Sequence, residues 1–267
     1  MRKLPDLESR FPKVQPVTSK YISQLPFILT LSAKCNAGKS YLAVALISLM
    51  QREGSITHTW ILSPTASSNS IYRNIVSEEH MDRVHDDLSA PAVWNTLKAI
   101  QVEMEAITAQ YQADLKYAIV HHLYTSGAAV NAMDEHLLDS RGYMPCAPRQ
   151  PSYCVLVDDA QASPLLSRAT ANPMLNACLR HRHMARFGVS FVLVSQTVKG
   201  LPKAIRTNTT HWAFFKTLNK KEIEECYDEV SGFCEQHEFE RLLRLYTLQK
   251  FGYLFADIPR QRLSNSF

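Results

Sequence analysis

The chain has 267 residues, 46% apolar and 20% charged, with a formal net charge of +4. That length and apolar share can fill the core of one large α/β domain and exclude a disordered or low-complexity chain. No apolar run is long enough to cross a bilayer and no signal peptide is visible, so a membrane-spanning or secreted class is not expected. Six cysteines are scattered without a C-x-x-C pair, which points to free thiols in a reducing, intracellular setting. Cys226, Cys234 and His237 offer only three ligands, at a spacing that matches no zinc module.

Residues 1–24 are polar, carry Pro5, Pro12 and Pro16, and read as an extended arm; 25–267 read as one domain. Phe27, Ile28, Leu29 and Leu31 form a nearly continuous apolar run, as in a strand buried on both faces. Tyr41 to Met50 is an apolar helix start without Gly or Pro. Between them stand Ala33, Lys34, Cys35, Asn36, Ala37, Gly38, Lys39 and Ser40. This is the phosphate-binding pattern G-x-x-x-x-G-K-[ST] with Ala33 in place of the first Gly. A triphosphate needs many donors at close range. A tight loop turns its N–H groups inward, and the following helix adds its positive end. Gly38 lets the backbone approach, Lys39 is expected to reach the β- and γ-phosphates, and the Ser40 hydroxyl to ligate Mg²⁺. ATP and Mg²⁺ are the expected ligands.

Thr57 to Ser63 reads as a second strand, ended by Pro64 and a Ser/Asn-rich run. From about 72 to 150 the pattern is helical: Val93, Leu97, Ile100, Met104 and Ile107 recur at helical spacing, and Leu115, Ile119 and Leu123 continue it. This segment reads as a helical insertion, with His121 and His122 as ordinary helix residues. Tyr153 to Asp159 is an apolar strand ending in two acids. In parallel sheets ligands bind at the carboxyl ends of strands. Asp158 is therefore expected to serve Mg²⁺ and Asp159 to polarise the attacking water; the bland alternative is a pair that caps the next helix.

Ala162 to Ala185 reads as largely helical, with Pro173 as a break and a cluster Arg180-His181-Arg182-His183 at its end. Val189 to Val194 is another buried strand, and Gln196 beyond its tip is a candidate sensor of the γ-phosphate or the water. A loop-capping amide is the alternative. His211 to Phe215 reads as a strand, Lys220 to Val230 and Glu235 to Leu245 as helices, and Phe251 to Ala256 as a last strand before the basic tail with Arg260 and Arg262.

Charge is unevenly spread. Ala160 to Lys221 contains no Asp or Glu but holds Arg168, Arg180, Arg182, Arg186, Lys199, Lys203, Arg206, Lys216, Lys220 and Lys221, whereas Glu78 to Asp139 is acidic. Such a bipolar chain suits a polyanion on one face.

These residues together resemble the genome-packaging ATPases of large double-stranded DNA viruses, the poxvirus-type branch of the FtsK–HerA superfamily. The matching pieces are AKCNAGKS, WILSPT, VLVDD, the RHRH cluster before FVLVSQ, LPKAIRTN and the closing FGYLFADIP, in the family's order. The resemblance implies a three-layer, additional-strand P-loop NTPase of RecA-like α/β class. Its central sheet is mainly parallel, with the acid strand and the Gln strand beside the P-loop strand. It also implies a homo-oligomeric ring, usually of five or six subunits, that threads duplex DNA, with capsid proteins as further partners and a host-cytoplasmic, viral-factory or virion setting. By position, Lys39 and Ser40 bind phosphate and Mg²⁺, Asp158 serves Mg²⁺, Asp159 activates water and Gln196 senses hydrolysis. Such rings need an arginine from the neighbouring subunit; Arg206 is one candidate, Arg182 and Arg186 the others. Ala33 for Gly, and Asp159 where many relatives carry Glu, depart from the pattern. A cellular-type DNA pump of the same superfamily and a non-hydrolysing scaffolding subunit are the alternatives. No NKxD-type motif favours a GTPase.

Overall fold

In the computed structural model, which describes residues 17–167 and 172–267, the apolar runs become strands β1 (Ile28–Ser32), β2 (His58–Leu62), β3 (Val84–His85), β4 (Tyr153–Val157), β5 (Val189–Ser195), β6 (His211–Phe215), β7 (Tyr253–Asp257) and β8 (Arg262–Ser264). They form one sheet in the order β3-β2-β4-β5-β1-β6-β7-β8. The first six are parallel, and β7 and β8 close the edge antiparallel. Every position of β1, β4, β5 and β6 is buried. Strands covered on both faces cannot alternate apolar with polar, which is why they read as continuous apolar runs.

The P-loop strand β1 pairs with β5 and β6. The acid strand β4 pairs with β5 and β2, one strand further out. Sequence expectation placed both the acid strand and the Gln strand beside β1; only the Gln strand is there, inserted between the other two.

Helix α1 (Lys39–Glu53) covers one face of the sheet, burying Ala43, Val44, Leu46, Ile47 and Met50 against Leu29, Leu31, Val192 and Val194. It stops at Gly54, whose left-handed φ of 85° and N–H bond to Met50 O form a C-cap. The opposite face carries α2 (Ala92–Thr125), α4 (Pro173–Arg180) and α5 (Lys203–Arg206) over β2, β4 and β5. Beside them, α6 (Lys220–Asp228) and α7 (Gln236–Tyr246) cover β6 and β7. The result is three layers.

Three expectations change. The segment 72–150 is not wholly helical: two 3₁₀ turns and the edge strand β3 precede α2. Nor does all of α2 stand apart, because Val93, Ile100 and Met104 in its first half pack on the sheet. Only its second half, with Tyr117 and Val120 against Leu138 of α3 (Ala132–Ser140), makes a separate small cluster. Between 162 and 185 the helix is short, and Pro173 starts α4 rather than breaking it, since Asn172 caps that turn and Pro fits the first position. Arg168 and residues 1–16 of the arm lie outside the described residues.

The arm's last residues are anchored. Ile22 is buried, and Ser23 Oγ donates to Asp257 Oδ1 at 2.8 Å and lies 3.0 Å from His211 Nε2. Burial pulls the His211 imidazole down from 6.5 to about 4, with Asp257 opposing and Arg260 assisting. The unfolded chain binds a proton here that the folded chain excludes, so stability falls as pH drops from about 6.5 toward 4, by about 1.4 kcal/mol per pH unit. Melting temperatures between about pH 7 and 5.5, above the carboxylate range, should fall in the wild type and less steeply in His211→Asn.

Candidate nucleotide-binding site

The carboxyl ends of β1, β4 and β5 meet at one edge of the sheet, and Ala33–Ser40, Asp158, Asp159 and Gln196 gather there, whereas the candidate arginines do not. The loop 33–38 leaves β1 with Ala33 N–H donating to Ser195 O at 3.2 Å, which ties it to the tip of β5. The left-handed residues of the loop are Asn36 (φ 60°) and Gly38 (φ 91°), not Ala33. A Cβ at position 33 therefore meets no backbone penalty, which explains how Ala can replace the usual Gly. Gly38, directly before α1, is the position whose left-handed backbone calls for glycine. Lys34, Cys35 and Asn36 are exposed, Ala37 is half-buried, and Lys39 is 7% exposed. The Lys39 ammonium folds back across the loop and donates to Ala33 O at 2.6 Å and Lys34 O at 2.8 Å. Burial lowers its pKa, while Cys35, Asp158 and Asp159 act the other way. Lys39 thus stands between the loop and both acids.

The two acids have opposite surroundings. Asp158 is fully buried; its N–H bonds Leu62 O at 3.0 Å and its Oδ2 accepts the Tyr72 hydroxyl at 2.8 Å. Its Oδ1 is buried without a hydrogen-bond partner among the described residues. Burial raises the Asp158 carboxyl, and the hydroxyls of Ser40 and Tyr72 hold it back. Asp159 is exposed at φ 52°, a left-handed conformation uncommon for residues other than Gly. Buried oxygens left unpaired are costly. An orphaned carboxylate oxygen near a serine hydroxyl is a hard-oxygen donor set that fits Mg²⁺, which binds through one or two protein ligands plus phosphates.

Gln196 is exposed just past the tip of β5. Its neighbour Ser195 is held from two sides: Ser195 Oγ donates to Thr197 O at 2.7 Å and accepts from Gln161 Nε2 at 3.1 Å. Gln161 therefore links the loop after the acids to the Gln196 strand.

The arginines separate. Arg206 on α5 pairs with Glu229 and donates through Nε to Leu201 O at 3.3 Å, with side chains only 16% and 10% exposed. It is spent inside its own chain. Arg182 and Arg186 are exposed and make no ion pair among the described residues. The basic stretch is spread along the sheet. Arg180, Arg182 and Arg186 precede β5, whereas Lys216, Lys220 and Lys221 follow β6, a parallel strand. The two groups lie at opposite strand ends, about 20 Å apart for strands of five to seven residues.

Sequence reasoning missed Tyr72 and Gln161. Tyr72 lies 86 residues from Asp158 and sits at the head of an apparently featureless segment. No local spacing marks it.

With the P-loop strand, the inserted Gln strand and the acid strand in that order, the chain has the α/β fold of the P-loop NTPases. Solved structures similar to it include the DNA-packaging ATPase B204 of Sulfolobus Turreted Icosahedral Virus, at 13% identity and a TM-score of 0.54 over 91% of this chain and 97% of that one. The genome packaging NTPase B204 of Sulfolobus turreted icosahedral virus 2, solved with AMP, matches at 15% identity and 0.51 over 90% and 98%. The pCW3 conjugation coupling protein TcpA, solved with ATPγS, matches at 12% and 0.50 over 96% and 70%. No protein-family model and no curated protein matches the sequence.

Proposed function

We propose that this chain is an ATP-driven DNA translocase of the FtsK–HerA superfamily that packages double-stranded viral DNA as a homo-oligomeric ring. The observation that carries the reading is the convergence of Ala33–Ser40, Asp158, Asp159 and Gln196 on one sheet edge. The fold is shared over about nine tenths of the chain with packaging ATPases, which supports it. Loop N–H groups and the N-terminal end of α1 hold the triphosphate, and Lys39 turns from the loop carbonyls to the phosphate oxygens. Ser40 and Asp158 would hold Mg²⁺, which would supply positive charge to offset that of the phosphate oxygens. Asp159 polarises the water that attacks the γ-phosphate, and Gln196 reports the loss of that group along β5. Arg182 and Arg186 remain for the neighbouring subunit's site, and Arg206 does not. Basic side chains at either sheet end meet DNA phosphates, so binding is salt-dependent and indifferent to sequence.

The test is ATP hydrolysis by the purified protein with and without duplex DNA, together with Lys39→Ala. Turnover that DNA stimulates and the substitution removes is the expected result. ATP binding without turnover, even with DNA at high protein concentration, would instead indicate a scaffolding subunit. The likeness to a conjugation coupling protein favours, as a second reading, a cellular-type DNA pump. Capture of the protein with assembled capsids separates the two.

Tyr72 leads to a further expectation. Its hydroxyl holds one oxygen of Asp158 and leaves the other, buried and unpartnered among the described residues, for a metal ion. Tyr72→Phe keeps the ring in the core but frees that oxygen. Nucleotide affinity without Mg²⁺ should be unchanged, and the gain in affinity on adding Mg²⁺ should shrink by roughly tenfold, in line with losses of outer-shell partners at metal sites.

A further inference from the structure

Phe251 has no place in the core and an uncommon backbone. It is 55% exposed and left-handed at φ 68°, a conformation that bulky residues rarely adopt. Strain of this kind concentrates at ligand sites. The ring lies against the phosphate loop: a Cβ built on Gly38 would come 2.9 Å from Phe251 Cδ1 and 3.4 Å from Cγ. Lys250 Nζ stands 4.9 Å from the ring centroid.

The topology states which end of a bound nucleotide would meet this ring. Asp158 and Asp159 directly follow β4 and Gln196 directly follows β5, on one side of β1. The γ-phosphate must face them, so the nucleoside leaves toward the other side, where β6 and β7 stand. β7 runs antiparallel to β6 with Tyr253 opposite Phe215, so the loop before it arrives at the strand ends that hold the P-loop. That loop carries Phe251.

From this geometry we infer that Phe251 is the stacking platform for the nucleobase. The inference rests on the nucleotide-site reading and adds the base subsite. An aromatic face accepts a base by π-contact and water exclusion, and it needs no hydrogen-bond reader. Lys250 is on a flexible stem, so its ammonium moves aside when a base takes the ring face.

The experiment compares equilibrium binding of ATP and of inorganic tripolyphosphate, which lacks the base, to four proteins: wild type, Phe251→Ala, Phe251→Trp and Leu248→Ala. Leu248 is an exposed apolar residue of the same loop and serves as the control. Phe251→Ala should weaken ATP roughly tenfold and leave tripolyphosphate within about twofold, whereas Phe251→Trp and Leu248→Ala keep ATP affinity. Equal weakening of both ligands by Phe251→Ala would overturn the inference, because the ring would then only prop Gly38. No weakening of either ligand, with the wild type binding both, would overturn it too while sparing the nucleotide site. A wild type that binds neither would overturn the nucleotide-site reading and this inference with it.

Discussion

Asp159→Asn is expected to lower ATP turnover by about 10²- to 10⁴-fold, the usual contribution of a positioned acid–base group, and to leave nucleotide affinity within about twofold. The separation follows from the geometry. Asp159 is exposed at φ 52°, and Asn is among the residues that best tolerate the left-handed region. Size is kept, while the carboxylate charge and one acceptor oxygen, replaced by an NH2 donor, are lost. The buried neighbour behaves differently. Asp158 is fully buried and carries the orphaned oxygen, so Asp158→Asn should weaken Mg²⁺-dependent binding as well as turnover. Phosphate release under saturating ATP, with nucleotide titrations alongside, checks both. Turnover within tenfold of wild type in Asp159→Asn would assign water activation to another residue.

Arg206→Ala should destabilise the fold by about 3 kcal/mol, because it leaves Glu229 largely buried without its counter-charge. Burial already raises the Glu229 carboxyl, and Arg206 is the first group that opposes this. In a chain of this size that cost lowers the melting temperature by roughly 6–12 °C. Replacing both partners, Arg206→Met with Glu229→Leu, should recover most of the loss, as exchange of buried ion pairs for apolar groups commonly does. The double variant also tests the trans-acting role. If it melts like wild type yet hydrolyses ATP no faster than Asp159→Asn, Arg206 acts in the neighbouring site after all. If it hydrolyses normally, Arg182 and Arg186 are the residues to replace next.

The parts of the site that were legible share one property. The candidate loop Ala33–Ser40 could be read because a phosphate-binding pattern is a short loop between a strand and a helix, and eight consecutive residues supply it. Asp158 and Asp159 could be read because they end an apolar strand, and Gln196 because it follows another. Tyr72 could not, nor Gln161 against Ser195, nor Arg206 against Glu229. Each of these joins residues from different elements, and their spacing in the chain carries no information about distance in space. The layout of the basic stretch was hidden for the same reason. Contiguous in sequence, it is split by β5 and β6 between two ends of the sheet.

By itself, then, the sequence determined what is local. It specified the buried strands through their apolar runs, α1 through the apolar run Tyr41 to Met50, and the candidate phosphate loop through its spacing. Strand order was decided only in three dimensions, since parallel strands with helical crossovers can be placed in several orders that bury the same side chains. The tertiary structure put β5 between β1 and β4, turned the spare oxygen of Asp158 inward, consumed Arg206 in an ion pair and set Phe251 on Gly38. The physical reason is that hydrogen bonds, charge pairs and ring contacts act over a few ångströms of space, whatever the length of chain between the groups that make them.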